Sequence, residues 1–105
     1  MKTITYNRKD IIRRTAQKLD IGDKHMKIVL EMILDTMLDM FKEPRDNLRI
    51  EMRDFGIFEI KPTKAKPGAR NPRTNEKIYV PPHRKISFKP GKSLKRELRK
   101  KWIVS

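Results

Sequence analysis

The chain has no cysteine, which excludes disulfide bonds and thiolate zinc sites. It is also poor in apolar residues, with 36% hydrophobic against 38% charged, so much of its surface must face water or a charged partner. At 105 residues it reads as one domain whose single-chain core would be marginal. No apolar run approaches the roughly 20 residues that a membrane-spanning helix needs. Met1-Lys2-Thr3-Ile4-Thr5-Tyr6 runs straight into charged residues without a signal-peptide pattern. These absences lead to the expectation of a soluble intracellular protein with no membrane partner. Repeats at solenoid periods are missing too.

Catalytic and metal-binding patterns are equally sparse. His25 and His83 lie far apart without a third ligand, so ordinary surface histidines are expected rather than a metal site. Asp54-Phe55-Gly56 spells the metal-binding tripeptide of kinases, yet no glycine-rich or catalytic loop accompanies it. A tight strand turn with Phe55 in the core is the reading adopted. Asp35 and Asp39 share a helix face with no acid–base partner, and no nucleophile constellation is present. The chain is expected to be no enzyme, with no cofactor and no small-molecule substrate.

Positive charge is what the chain has in excess. The net charge is +14, and residues 61–101 hold 15 Lys/Arg against only Glu76 and Glu97. Residues 1–60 are nearly balanced, with 12 Lys/Arg against 11 Asp/Glu. Charge this lopsided is suited to a polyanion.

The first half reads as helix. Asn7 is a good N-cap, and Asp10 three residues later can reach back to it. Ile11, Ile12, Ala16 and Leu19 form one apolar face. Asp20-Ile21-Gly22 breaks this helix, and Asp23 is expected to cap a second one from about Lys24 to Lys42, ended by Glu43-Pro44. Eleven apolar residues between Met26 and Phe41 cover far more than the roughly 100° stripe one neighbour requires. A second copy of the chain would cover the remainder, so an obligate homodimer is expected. The four methionines on this helix are read as packing filler.

From Leu48 the period becomes two. Leu48, Ile50 and Met52 alternate with Arg49, Glu51 and Arg53, as in a half-buried strand, and a second strand begins at Ile57. Residues 61–77 then contain Pro62, Pro67, Gly68 and Pro72 among cations. Such a segment has too little apolar surface to offset its ordering entropy, and is expected to be a mobile hairpin arm with Asn71-Pro72-Arg73-Thr74-Asn75 as its tip. The chain returns through Ile78-Tyr79-Val80, Pro81-Pro82 and Ile86-Ser87-Phe88. Pro90-Gly91 ends this strand, and a last helix, starting at Gly91 or Ser93, should run through Lys101.

Phe55-Gly56-Ile57-Phe58, then Arg70-Asn71-Pro72-Arg73-Thr74, then Phe88-Lys89-Pro90-Gly91-Lys92-Ser93-Leu94-Lys95 closely resemble the HU and integration host factor family of bacterial nucleoid proteins. The likeness spans Asn7 to Lys101 in the same order and at nearly the same spacing. It implies an α+β fold: an intertwined homodimer with a helical base (7–42), a three-stranded antiparallel sheet per subunit (48–90) and extended β-ribbon arms (about 61–82). A basic C-terminal helix (91–101) and a short tail (102–105) follow. By resemblance, Pro72 is the intercalating wedge that kinks duplex DNA from the minor groove, with Arg70, Asn71 and Arg73 beside it. Lys61, Lys64, Lys66, Lys77 and Arg84 would serve the arm. Lys89, Lys92, Lys95, Arg96 and Arg99 on the body, with Arg8 at the first helix, would contact phosphates. The dimer core is expected to contain Val29, Ile33, Met37, Phe41, Phe55, Phe58 and Phe88. A cytoplasmic, nucleoid location follows from the same likeness.

The sequence departs from the family pattern in three places. Ala69 stands where the family has Gly, and the outgoing arm strand is one residue longer, which a bulge between Lys66 and Ala69 would absorb. Asn75 replaces the turn Gly, a position Asn tolerates because it enters the left-handed region readily. Trp102-Ile103-Val104 extends the chain with an apolar tail expected to fold back on its own body. Site-specific bending of the integration host factor kind, general HU-like binding, and a heterodimer with a paralogue all stay open. From other classes come a basic RNA-binding or ribosome-associated protein, for which the arm offers only Tyr79 as a stacking platform, and a ribbon that docks a protein or an anionic membrane, the membrane version having no amphipathic basic helix with a bulky apolar face to support it.

Overall fold

The computed structural model of the chain describes residues 2–100. Lys101 and the apolar tail Trp102-Ile103-Val104 lie outside the described residues. The chain divides into two compact units, Met1–Glu43 and Pro44–Ser105, each taken here by itself.

The first unit is a helical hairpin. Helix α1 spans Arg8–Leu19 and opens with the expected capping box: the Asn7 side chain accepts from the Asp10 amide at 3.2 Å, and the Asp10 carboxylate accepts from the Asn7 amide at 2.9 Å. It closes at Asp20, whose φ of 54° lies in the left-handed region that Asp enters at modest cost. Helix α2 spans Asp23–Phe41. Here the expectation is corrected. Gly22 is the N-cap and makes no side-chain cap bond, while Asp23 is already helical. There its carboxylate still favours the positive end of the helix dipole.

Only Ile12, Ala16 and Met26 form a buried cluster between these helices, with Leu30 packed against it. Much of the remaining apolar surface of α2 is open, while Leu34, Met37 and Phe41 are partly covered. Ile28, Val29, Met32, Ile33, Leu38 and Met40 are between 43% and 56% exposed. No helix among the described residues is long and apolar enough to cross a membrane.

The second unit carries a three-stranded antiparallel sheet in the order β1 (Leu48–Met52), β2 (Gly56–Pro62), β5 (Arg84–Pro90). Strands β3 (Lys66–Arg70) and β4 (Lys77–Val80) pair with each other as a separate hairpin inserted between β2 and β5. Helix α3, Lys92–Leu98, follows with Gly91 as its N-cap and Arg99 as its C-cap, shorter than the helix to Lys101 that the sequence suggested. The β1–β2 turn runs through Asp54, which has φ 66°. Gly56 is required immediately after it, because a Cβ there would lie 2.6 Å from the Lys89 carbonyl oxygen and 2.6 Å from the Phe88 ring.

Period-two alternation divides this sheet into two chemistries. Registers Ile50↔Phe58↔Phe88 and Leu48↔Ile60↔Ile86 put these apolar residues on one face, where the Phe58 and Phe88 rings pack tilted with centroids 4.9 Å apart. Phe55 is half exposed in the single chain, its ring centroid 5.5 Å from that of Phe88. Ile86 and Phe88 are also open on this face.

Candidate nucleic-acid interface

The opposite face of the sheet carries Arg49, Glu59 and Ser87 in one row, with Lys61 beside Lys85 and Lys89 beside Ile57. Glu59, in the central strand, is 8% exposed. Its carboxylate accepts from the Lys89 ammonium at 2.7 Å and lies 3.8 Å from that of Lys61. The Lys89 hydrogen bond holds the Glu59 carboxyl below its ordinary value, with desolvation opposing and the charges of Lys61, Lys89 and Arg49 assisting. One buried anion is thus set among cations, while exposed Glu51 at the sheet edge lies 3.3 Å from Arg49.

The arm extends from this sheet. Registers Lys66↔Val80 and Ala69↔Ile78 leave one extra residue on β3, so the bulge lies where the longer outgoing strand required it. Pro67, which can donate no ladder bond, sits inside it. At the tip, the Asn75 amide donates to the Asn71 carbonyl at 2.7 Å and the Asn71 amide to that of Glu76 at 2.8 Å. Asn71 Oδ1 accepts from the Arg73 amide at 2.9 Å, an Asx turn that spans Pro72. Asn75 has φ 60°, as its replacement of Gly demands. Arg70 reaches across to the Asn75 carbonyl and side-chain oxygens at 3.3 and 3.4 Å. Pro72 and Arg73 are exposed, so the apex presents a bare pyrrolidine ring between guanidinium groups.

The remaining expected site residues fall into four groups. Lys64, Lys66 and Lys77 lie along the arm, with Lys77 opposite Arg70. Arg84 opens β5 and donates from Nη1 to the Arg45 carbonyl at 3.0 Å. Lys92, Lys95, Arg96 and Arg99, with Lys100, line one open concavity along α3. Arg8 begins α1 in the helical unit. No cluster of three or more metal-ligating side chains occurs among the described residues.

Sequence reasoning missed two features. The burial of Glu59 follows from its central strand, and the signal available was that no other acidic residue occurs between Asp54 and Glu76. The second is a knot at the root of the arm, where Thr63 and His83 meet through side chain and backbone. Prolines on both sides of that level, Pro62 and Pro81-Pro82, were its signal. His83 is exposed, as expected of a surface histidine, but its Nδ1 is engaged.

Residues 6–99 match the family model described as bacterial DNA-binding protein. DNA-binding protein HU 1 of Bacillus subtilis is 34% identical over 89 residues, 85% of this chain and 92% of that relative. DNA-binding protein HU of Thermotoga maritima is 32% identical over 92 residues, 88% of this chain and 98% of the relative. Integration host factor subunit alpha of Hydrogenovibrio crunogenus is 32% identical over 89 residues, 85% of this chain and 88% of its own length. An HU–DNA cocrystal structure from Anabaena superposes with a TM-score of 0.77 at 27% identity, covering 91% of this chain and all of the other. The apolar and charged sheet faces, the bulged arm and this likeness over nearly the whole chain agree: it belongs to the bacterial DNA-binding protein family of HU and integration host factor.

Proposed function

We propose that this chain is an architectural protein of the bacterial nucleoid that binds duplex DNA in the minor groove and bends it, acting as a homodimer. The observation that carries the reading is the arm tip, an exposed proline held at the apex by an Asx turn and flanked by Arg70 and Arg73. A proline ring is a rigid apolar wedge without an amide donor to satisfy. Partial unstacking of a base step costs about a few kcal/mol, and a smooth 40–90° bend on the order of 1–6 kcal/mol; that scheme is the general one for minor-groove architectural proteins, HU and integration host factor among them. Phosphate contacts along the flanks must offset this, and the α3 cluster of Lys92, Lys95, Arg96 and Arg99 with Lys89, Lys61 and Arg84 is suited to supply them. The role is architectural rather than catalytic.

The dimer reading rests on the open apolar face of α2, Val29 and Ile33 included, and on the exposed Phe55 and Phe88 of the sheet. Affinity should fall steeply with salt, each neutralised phosphate contributing about −0.9 to the log–log slope. Pro72→Ala is expected to keep affinity within about tenfold while lowering energy transfer between dyes on the two DNA ends. An unchanged transfer efficiency removes Pro72 from the wedge role. Equal competition by single-stranded RNA would favour an RNA-binding function instead.

A further inference from the structure

The arm does not simply continue the sheet. Register carries through from Pro62↔Arg84 to Lys66↔Val80, which puts Thr63 opposite His83, Lys64 opposite Pro82 and Ala65 opposite Pro81. Prolines at 81 and 82 have no amide proton, so the ladder is cut on the returning side of this waist. Among the described residues, the backbone bond that bridges it runs from the Thr63 amide to the His83 carbonyl at 2.7 Å. Side chains supply the remainder. The His83 amide donates to Thr63 Oγ1 at 3.3 Å, in place of the carbonyl that a regular antiparallel pair would offer. Thr63 Oγ1 lies 3.1 Å from the His83 carbonyl and 3.1 Å from its Nδ1. Nδ1 is also 3.0 Å from the Pro81 carbonyl. A carbonyl oxygen only accepts, so this contact requires the proton on Nδ1, and the Thr63 hydroxyl then donates to the His83 carbonyl.

We propose that Thr63 and His83 form a hinge pin that positions the arm on the sheet and so sets the bend imposed on DNA. The pin rests on the DNA-bending reading above, and neither residue need touch DNA. A waist with one ladder bond and three prolines has lost the cooperative network that stiffens a β-ribbon. The hydroxyl–imidazole knot restores directional bonds there, one strand tied to the other at a single level. Thr63 is therefore a positioning residue, His83 its partner, and Pro81-Pro82 the reason that a side-chain tie is needed.

Because the chain has no cysteine, one dye at Thr74→Cys labels the arm tip uniquely. Time-resolved anisotropy of that dye, without DNA, reads the arm alone; energy transfer between DNA ends reads the bend. Thr63→Val keeps shape and amide but removes the hydroxyl. It is expected to enlarge the fast anisotropy amplitude and broaden the energy-transfer distribution, with affinity reduced by at most about tenfold, the size of one or two ordinary hydrogen bonds. Thr63→Ser should restore both readouts. His83→Ala should reproduce the Thr63→Val behaviour from the other side of the pin, which covers the case in which the valine variant misfolds. Ring nitrogen chemical shifts of His83 should report the proton on Nδ1. Wild-type anisotropy and bend in both Thr63→Val and His83→Ala would overturn the proposal, as would a proton on Nε2 alone. Failure of the bending reading looks different: the wild-type protein would leave the DNA straight while the anisotropy change persisted.

Discussion

Glu59 is the residue whose position is least expected in a cationic sheet face. A buried carboxylate needs a charged or hydrogen-bonding partner to stay ionised, and Lys89 provides one at 2.7 Å. Since that bond lowers the folded-state pKa of Glu59, its contribution to stability is complete above the ordinary glutamate range. It is lost as the pH falls through the lowered value and the carboxyl protonates. Glu59→Gln is therefore expected to show a flatter loss of melting temperature on acidification than the wild type, the difference between the two curves isolating this group. Parallel curves would mean that the Lys89 pair contributes nothing to folding. The register places Glu59 on the polar face, and its burial arises because strands lie on both sides of it. That depends on residues some thirty positions away.

At the scale of the elements, the arm is the part where local rules and the pairing pattern interact most. Counting residues from Phe55 against the family pattern led to the expectation of one extra residue and a bulge between Lys66 and Ala69, and the register shift falls there. Side chains alternate with a period of two, so one residue more or less moves every following side chain to the other face. Deleting Gly68, whose Cβ position meets nothing within 4 Å, is expected to restore an unbroken ladder while turning Arg70, Asn71 and Pro72 relative to Lys61 and Lys64. Hydroxyl-radical footprints of bound DNA should then lose their minor-groove protections at the kink positions. Footprints identical to the wild type would show that the bulge does not aim the tip. The limits of α1 and α2 were legible to within a residue or two, because Asn7, Asp10 and Pro44 act on their immediate neighbours. Gly22 rather than Asp23 as the cap of α2 was not, since the choice depended on where the chain leaves Asp20.

For the molecule as a whole, the decisive fact is how little one chain buries. Six side chains on α2 are about half exposed, and covering each would stabilise by roughly 1 kcal/mol. Their total rivals the roughly 5–15 kcal/mol by which whole domains are stable. A second copy is accordingly expected to be a condition of folding. Melting temperature should rise with protein concentration, and Ile33→Asp should sediment as a monomer with reduced helical circular dichroism. A wild-type protein that sediments as a monomer with a concentration-independent melting temperature would refute the dimer. The lopsided charge, the two helices, the strand alternation, the Asx-Pro tip and the family likeness were all legible from neighbouring residues, because propensity, capping and turn chemistry act over a few positions of the chain. The Glu59–Lys89 pair and the Thr63–His83 pin were not. Each joins residues twenty or more positions apart, and which side chains meet across a sheet is settled only when one register, among several the strands could adopt, buries the apolar face.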